Sequence, residues 1–358
     1  MNAPHVSQFD VMSQLRLPLI VLVTFAHSYS GVAQDYSLLS SGFDIYQVLK
    51  LLVGQTLTKL AVPVFFVMSG YLFFIHLQQW DWRVYGQKLK RRLITLLLPY
   101  VVWNLLMAVK LKSFSWSMLW VYVSAAGKQT DWLGMEHQLT APANMPLWFL
   151  RDLMVVSLLS PIIYIGVRKC RLWFLPLLGL LYLSGVCPFV PGLSAYAVFF
   201  FTLGAVLSLA GKDLLQWSLR YERLAYVCFI GLGLAMMLTY RTSVFSSLML
   251  CFRLVGVVVV FCAAYRVMLA TARRLPPIVC DASYFVYLAH YVVFFAVADD
   301  AFFSLFGTSQ LSLSLHYLLC PLLKAAVFVA LYVLYRKMLK FTLPYSRCST
   351  KCGCSEKS

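Results

Sequence analysis

The sequence predicts an all-α fold, a polytopic transmembrane helical bundle of about ten helices with both termini cytoplasmic. Three observations predict it. Hydrophobic residues make up 61% of the 358 positions, and they fall in runs long enough to cross a bilayer. Charged residues make up only 12%, roughly half of what a soluble domain carries, so the chain cannot clothe an aqueous surface. The basic residues gather in alternate connectors between the apolar runs, as the positive-inside rule requires.

Windows of about 20 residues, the length that spans a hydrocarbon core, fall at 13–33, 57–77, 93–111, 146–166, 172–187, 194–211, 223–240, 246–267, 282–305 and 316–337. The fifth is short and closes near Cys187 and Pro188, as a tilted or partly re-entrant segment would. One set of connectors holds Arg83, Lys88, Lys90, Arg91 and Arg92, then Arg168, Lys169 and Arg171, then Lys212, Arg220 and Arg223, and further basic groups down to the tail. The alternate set holds Lys50, Lys110, Lys112, Lys128 and Arg241. The first set faces the cytoplasm, which puts both termini inside and requires an even number of helices.

The net charge of +17 is thereby a topology signal, and no basic domain with stacking aromatics stands apart to bind nucleic acid. Residues 1–340 read as one integral membrane domain, and 341–358 as a flexible cytoplasmic tail. The tail carries Cys348, Cys352 and Cys354, one thiol short of a structural zinc set, so no metal site is expected. Cys187, Cys228, Cys251 and Cys262 lie in apolar runs and read as small core residues. No basic n-region precedes the first apolar run, so no cleavable signal peptide is expected. The longest outer connector, 112–145, has Trp116, Trp120 and Trp132, which suit an interfacial segment. The oligomeric state is open.

Five basic residues fall within or at the edge of spans: Arg16, Lys59, Arg151, Arg253 and Lys324. A charge at the bilayer centre costs about 2.5–3.5 kcal/mol on insertion scales and needs a partner or water. Lys59 and Lys324 sit where a side chain can snorkel, whereas Arg253 lies inside the eighth window. Arg151 either faces an acceptor from the periplasmic side or pairs with Asp152. The first window reads QLRLPLIVLVTFAHS. Arg16 and His27 are eleven positions apart, close to three full turns, so they share a face about 16 Å apart along the axis. A histidine in a bundle can hydrogen-bond a neighbouring helix, or it can act as a general base, because its ordinary pKa lies near neutral pH. An arginine toward the cytoplasm can hold a phosphate-bearing ligand.

The spacing of Arg16 and His27 resembles the first-span pattern of the acyltransferase-3 family of bacterial integral membrane sugar O-acyltransferases. Four further stretches match in order: VPVFFVMSGYLF from Val62, KLKRRLITLLLPYVVWN from Lys88, PLWFLRDL from Pro146 and ASYFVYLAHY from Ala282. The resemblance runs from about residue 8 to 340. In the family proline often follows the ninth-span histidine closely, whereas here Tyr291 follows His290. The resemblance implies an O-acetyltransferase of the bacterial inner membrane, moving an acyl group, usually acetyl from acetyl-CoA, to a hydroxyl of a surface polysaccharide or lipid-linked glycan. It maps the family's arginine and histidine onto Arg16 and His27, and its basic loop onto Lys90, Arg91 and Arg92.

On this reading Arg16, Arg91 and Arg92 meet the phosphates of acyl-CoA, which is a donor substrate and not a resident cofactor. His27 takes the proton of the attacking hydroxyl, by direct transfer or through a covalent acyl-histidine. Ser69, Tyr71 and Trp148 are the candidate oxyanion donors, with Ser69 and Gly70 equally readable as a helix-packing contact. Arg151 and His290 are candidate substrate contacts. The competing reading is a transporter or flippase of a lipid-linked sugar, for which no inverted repeat is evident.

Overall fold

Helix α1, Gln8–His27, begins with a capping box: the Asp10 N–H donates to the Ser7 hydroxyl at 3.2 Å, and the Ser7 N–H donates to the Asp10 carboxylate at 3.0 Å. The box starts the helix five residues before the expected window, and the helix closes at His27 with Ser28 as its cap. At 1.5 Å per residue its 20 residues cover about 30 Å, the thickness of a hydrocarbon core. His27 is therefore the last helical residue and not a mid-helix one.

The computed structural model describes residues 6–28, 36, 38, 41, 43–77, 79–110, 127–130, 136–139, 142–170, 173–184, 192–292 and 296–342. The expected tail at 341–358 and the interfacial segment around Trp116, Trp120 and Trp132 lie essentially outside these residues. Within that long connector the chain forms a hairpin, β1 (Gly127–Thr130) antiparallel to β2 (Glu136–Leu139), with Gly127 opposite Leu139.

Helix α2, Ile45–Phe74, is capped by Asp44 and is irregular. It loosens into a π-helix over Lys50–Thr56 and tightens to 3₁₀ over Leu57–Leu60 before running regularly from Ala61. Helix α3, Trp82–Lys110, starts from an Asp81 cap and passes through a second π segment at Leu93–Leu97. Pro99 has no N–H to close a turn on Thr95, and the Thr95 carbonyl accepts from the Tyr284 hydroxyl at 2.6 Å instead. The fourth window is broken into α4, Trp148–Leu158, and α5, Ser160–Lys169, bent by 57°. Pro161 causes the break, and the Ser160 hydroxyl satisfies the Ser157 carbonyl left without its amide at 2.8 Å.

There follow α6 (Phe174–Ser184), α7 (Ala195–Leu209), α8 (Leu214–Arg220), α9 (Glu222–Leu238), α10 (Ser243–Thr271), α11 (Pro277–Ala289), α12 (Ala296–Phe306) and α13 (Gln310–Thr342). Among the described residues each expected window contains helix. Among the described residues five helices are long and apolar enough to cross a membrane, or up to seven when the bent pairs α4–α5 and α7–α8 each count as one span. The expected ten are not all of crossing length: α6 and α11 are short, and α11 and α12 divide the ninth window. Helix geometry carries no inside or outside, so the cytoplasmic placement of the termini stays with the charge argument. The outward stripe of α9, Leu224, Val227, Ile230 and Leu234, is exposed and apolar, as a lipid-facing surface requires.

The core is built on the crossing of α2 and α7. A Cβ on Gly70 would stand 2.0 Å from the Phe201 carbonyl oxygen, and one on Gly204 would stand 2.1 Å from the Val67 carbonyl oxygen. The two backbones touch there, the small-residue packing that membrane helices use when apolar side chains gain nothing over lipid. Phe66, Phe74, Phe200 and Phe201 are fully buried around the contact. Gly204→Ala, and Gly70→Ala likewise, are expected to cost more than the ~1–3 kcal/mol typical of overpacking, because the obstructing atoms are backbone. Gly231→Ala, which meets open space, serves as the control. The check is the monodisperse fraction after detergent extraction, which should collapse for the first two and stay at the wild-type level for the third.

Candidate active site

Arg16 and His27 line one cavity of about 380 Å³, a volume suited to a small-molecule ligand. Ser69 and Phe65 of α2, Trp148 of α4 and Tyr287 of α11 complete its wall. Helix α1 supplies both of these side chains because their spacing puts them on one face, and α11 packs along that face. The cavity is mostly apolar, so the few polar groups in it act in a medium of low dielectric.

At one end, Arg16 pairs with Asp281 at 3.8 Å, and both side chains remain about half exposed. Asp281 was missed in the sequence; the signal available was an acid in the first turns of an apolar run. At the other end, the His27 ring lies 5.3 Å from the ring of His290 and 5.4 Å from that of Tyr291, centre to centre. His290 is buried, and its Nδ1 faces two carbonyls, Tyr287 at 2.8 Å and Val286 at 3.2 Å. Carbonyls only accept, so Nδ1 carries the proton. Nε2 is then a lone-pair nitrogen, and it is buried with no hydrogen-bond partner among the described residues. The Tyr287 hydroxyl donates to the Pro146 carbonyl at 2.6 Å, locking α11 to the turn that opens α4.

The other expected site residues are placed elsewhere. The Tyr71 hydroxyl accepts from Gln8 Nε2 at 3.0 Å and donates to the Lys212 carbonyl at 3.1 Å, which joins α2, α1 and the α7–α8 turn away from the cavity. Arg151 forms a buried pair with Asp152, through Nε at 3.1 Å and Nη2 at 3.0 Å, while the Ser194 hydroxyl donates to the other carboxylate oxygen at 2.8 Å. Of its two expected roles, the structure gives the pairing. Arg92 turns inward: Nη1 donates to the Ser157 hydroxyl at 2.5 Å, Nη2 to the Ser69 carbonyl at 3.1 Å, and the guanidinium stacks 4.8 Å from Phe73. Lys90 and Arg91 are exposed on the same helix. Gly70 is the packing contact described above, whereas the neighbouring Ser69 faces the cavity.

A family model described as an acyltransferase domain matches residues 11–340. The chain belongs to the acyltransferase-3 family. Its match takes in the cavity and all of the helices that wall it. The chain is also 30% identical over 211 residues to the succinoglycan biosynthesis protein ExoH of Rhizobium meliloti (strain 1021), an alignment covering 56% of this chain and 54% of that protein. The chain thus aligns with about half the length of that curated relative. No solved structure matches it.

The buried Arg151–Asp152 pair yields a stability prediction. Arg151→Met leaves the Asp152 carboxylate buried without its cation and is expected to destabilise by about 3–5 kcal/mol. Adding Asp152→Leu should recover a large part of that loss. Thermal unfolding in detergent of the single and double variants checks both.

Proposed function

We propose that the protein moves an acyl group from acyl-CoA to a hydroxyl of a cell-surface polysaccharide or lipid-linked glycan, in the bacterial inner membrane. The observation that carries this reading is the shared cavity of Arg16 and His27 in a member of an acyltransferase family. The name of the ExoH relative, a succinoglycan biosynthesis protein, supports a polysaccharide acceptor. Acetyl is the proposed acyl group.

The donor enters from the Arg16 end, the cytoplasmic one on the charge argument. Its phosphates meet Arg16 and the exposed Lys90 and Arg91, and its thioester reaches along the apolar wall toward His27. The acceptor hydroxyl oxygen attacks the thioester carbonyl carbon while His27 takes the hydroxyl proton. Collapse of the tetrahedral species breaks the carbon–sulfur bond, forms the ester and releases the coenzyme A thiolate, which takes up the proton. Ser69 and Trp148 are the cavity-lining donors available to the developing oxyanion. His290, whose ring lies 5.3 Å from that of His27 and whose Nε2 has no partner among the described residues, is the proposed second base.

The decisive experiment is transfer of label from acyl-labelled acetyl-CoA to an envelope-glycan extract by the purified protein in lipid. His27→Ala should lower transfer by ~10²–10⁴-fold at normal abundance. Arg16→Gln should raise the KM for acetyl-CoA more than it lowers kcat. Transfer by His27→Ala at the wild-type rate removes His27 as the base. Glycan translocation without any label on glycan would favour the transporter reading.

A further inference from the structure

The cations inside this fold are mostly neutralised. Arg151 has Asp152, Arg266 has Glu222, Arg274 has Asp10, and Arg16 has Asp281. Arg92 is held by the Ser157 hydroxyl and the Ser69 carbonyl. Lys59 and Arg253, on α2 and α10, have no carboxylate partner among the described residues. The helices that carry them pack against one another, and α1, which carries His27, packs against the stretch that holds Lys59. Two neighbouring cations in an apolar bundle repel, and each costs energy to desolvate, so the arrangement is short of negative charge.

The local structure holds them there. Lys59 sits in the 3₁₀ stretch Leu57–Leu60, directly after the π segment, where α2 departs from a regular helix. Such irregularities concentrate at functional sites. Helix α10 is pressed against this stretch, since a Cβ on Gly256 would stand 2.2 Å from the Leu60 side chain. The Arg253 guanidinium stacks 4.9 Å from the Tyr196 ring. Its Nε is nevertheless buried without a hydrogen-bond partner. Tyr196 in turn lies 6.3 Å from Trp148, which lines the cavity, and Lys59 is one turn before Val62, which also lines it. Each cation thus stands behind the cavity wall, Lys59 beside Val62 and Arg253 behind Tyr196 and Trp148.

We propose that Lys59 and Arg253 form an anion-binding subsite beside His27, and that it takes an acidic group, carboxylate or phosphate, carried by the acceptor glycan. The assignment to the acceptor rests on the function proposed above, in which Arg16 claims the donor at the far end. A point-charge ammonium beside a guanidinium fork suits either acid. With its acidic group held there, the acceptor presents a neighbouring hydroxyl to His27.

The test is binding, which needs no turnover. Protein in lipid nanodiscs is titrated with glucuronate, with glucose 1-phosphate and with neutral glucose, at constant ionic strength, and thermal unfolding is followed. The acidic sugars should raise the unfolding temperature in a saturable way, and glucose should not. Lys59→Gln and Arg253→Gln should each weaken the acidic-sugar effect about tenfold or more. Arg16→Gln should leave it intact, and both subsite variants should bind acetyl-CoA as the wild type does, which also shows that they fold. An acidic-sugar shift that survives in both variants, or that is absent from the wild type, overturns the subsite. A third titrant, a coenzyme A thioester whose acyl chain ends in a carboxylate, addresses the other source of such an anion. If Lys59→Gln and Arg253→Gln weaken that thioester and the acidic sugars give no shift, the anion belongs to the acyl group and the acceptor assignment falls. Loss of acyl transfer alone, with the acidic-sugar shift intact, would count against the enzyme reading and not against the subsite.

Discussion

Everything at the site depends on how close α2 and α7 come. Where backbones touch, two helices cannot slide or rotate without breaking many contacts at once, so Gly70 and Gly204 fix α2 as a rigid wall. Ser69 owes its place on the cavity to that crossing, because its neighbour faces the other helix. Arg92 then reaches the Ser69 carbonyl from α3 and the Ser157 hydroxyl on α4, so three helices are tied at one level. The cavity is what remains between this assembly and the α1–α11 pair.

Charge is the second constraint. Low-dielectric surroundings make each ionised group either paired or costly. Arg151–Asp152 and Arg92 illustrate the structural solution, in which a cation is consumed by protein partners. Arg16 illustrates an intermediate one, since its distance of 3.8 Å to Asp281 and its exposure leave the guanidinium able to turn to a phosphate. Lys59 and Arg253 illustrate the third, in which the partner has to come from outside. The same residue type thus does different work according to what the neighbouring helix offers.

The apolar windows were legible, because run length alone locates helices when the solvent is hydrocarbon. The common face of Arg16 and His27 followed from helical period, and the family blocks pointed to the walls around it. What was not legible depended on contacts between helices. A helix that is apolar all round gives no moment to show which side meets protein, so neither Asp281 opposite Arg16 nor the pairing of Lys59 with Arg253 could be read from spacing. Tyr71, inside a family block, pointed to the cavity by motif and away from it by hydrogen bonding. The helix start at Gln8 was available as Ser7 three residues before Asp10, a polar signal overshadowed by the apolar run behind it. The break at Leu159 was announced by Pro161, and the π segments by nothing evident in composition.

The π segment of α2 has an evolutionary reading. A π-helix holds one residue more per turn than an α-helix needs, so Lys50–Thr56 has the form of a single insertion absorbed within a helix instead of a loop. One residue corresponds to about 100° of helical phase. The insertion therefore sets the angular offset between the half of α2 anchored by Gly70 and the half that begins at Ile45. Relatives differing by one residue here would keep the cavity wall and rotate everything upstream of it, which makes this short stretch a place where lineages of the fold can diverge without rebuilding the bundle.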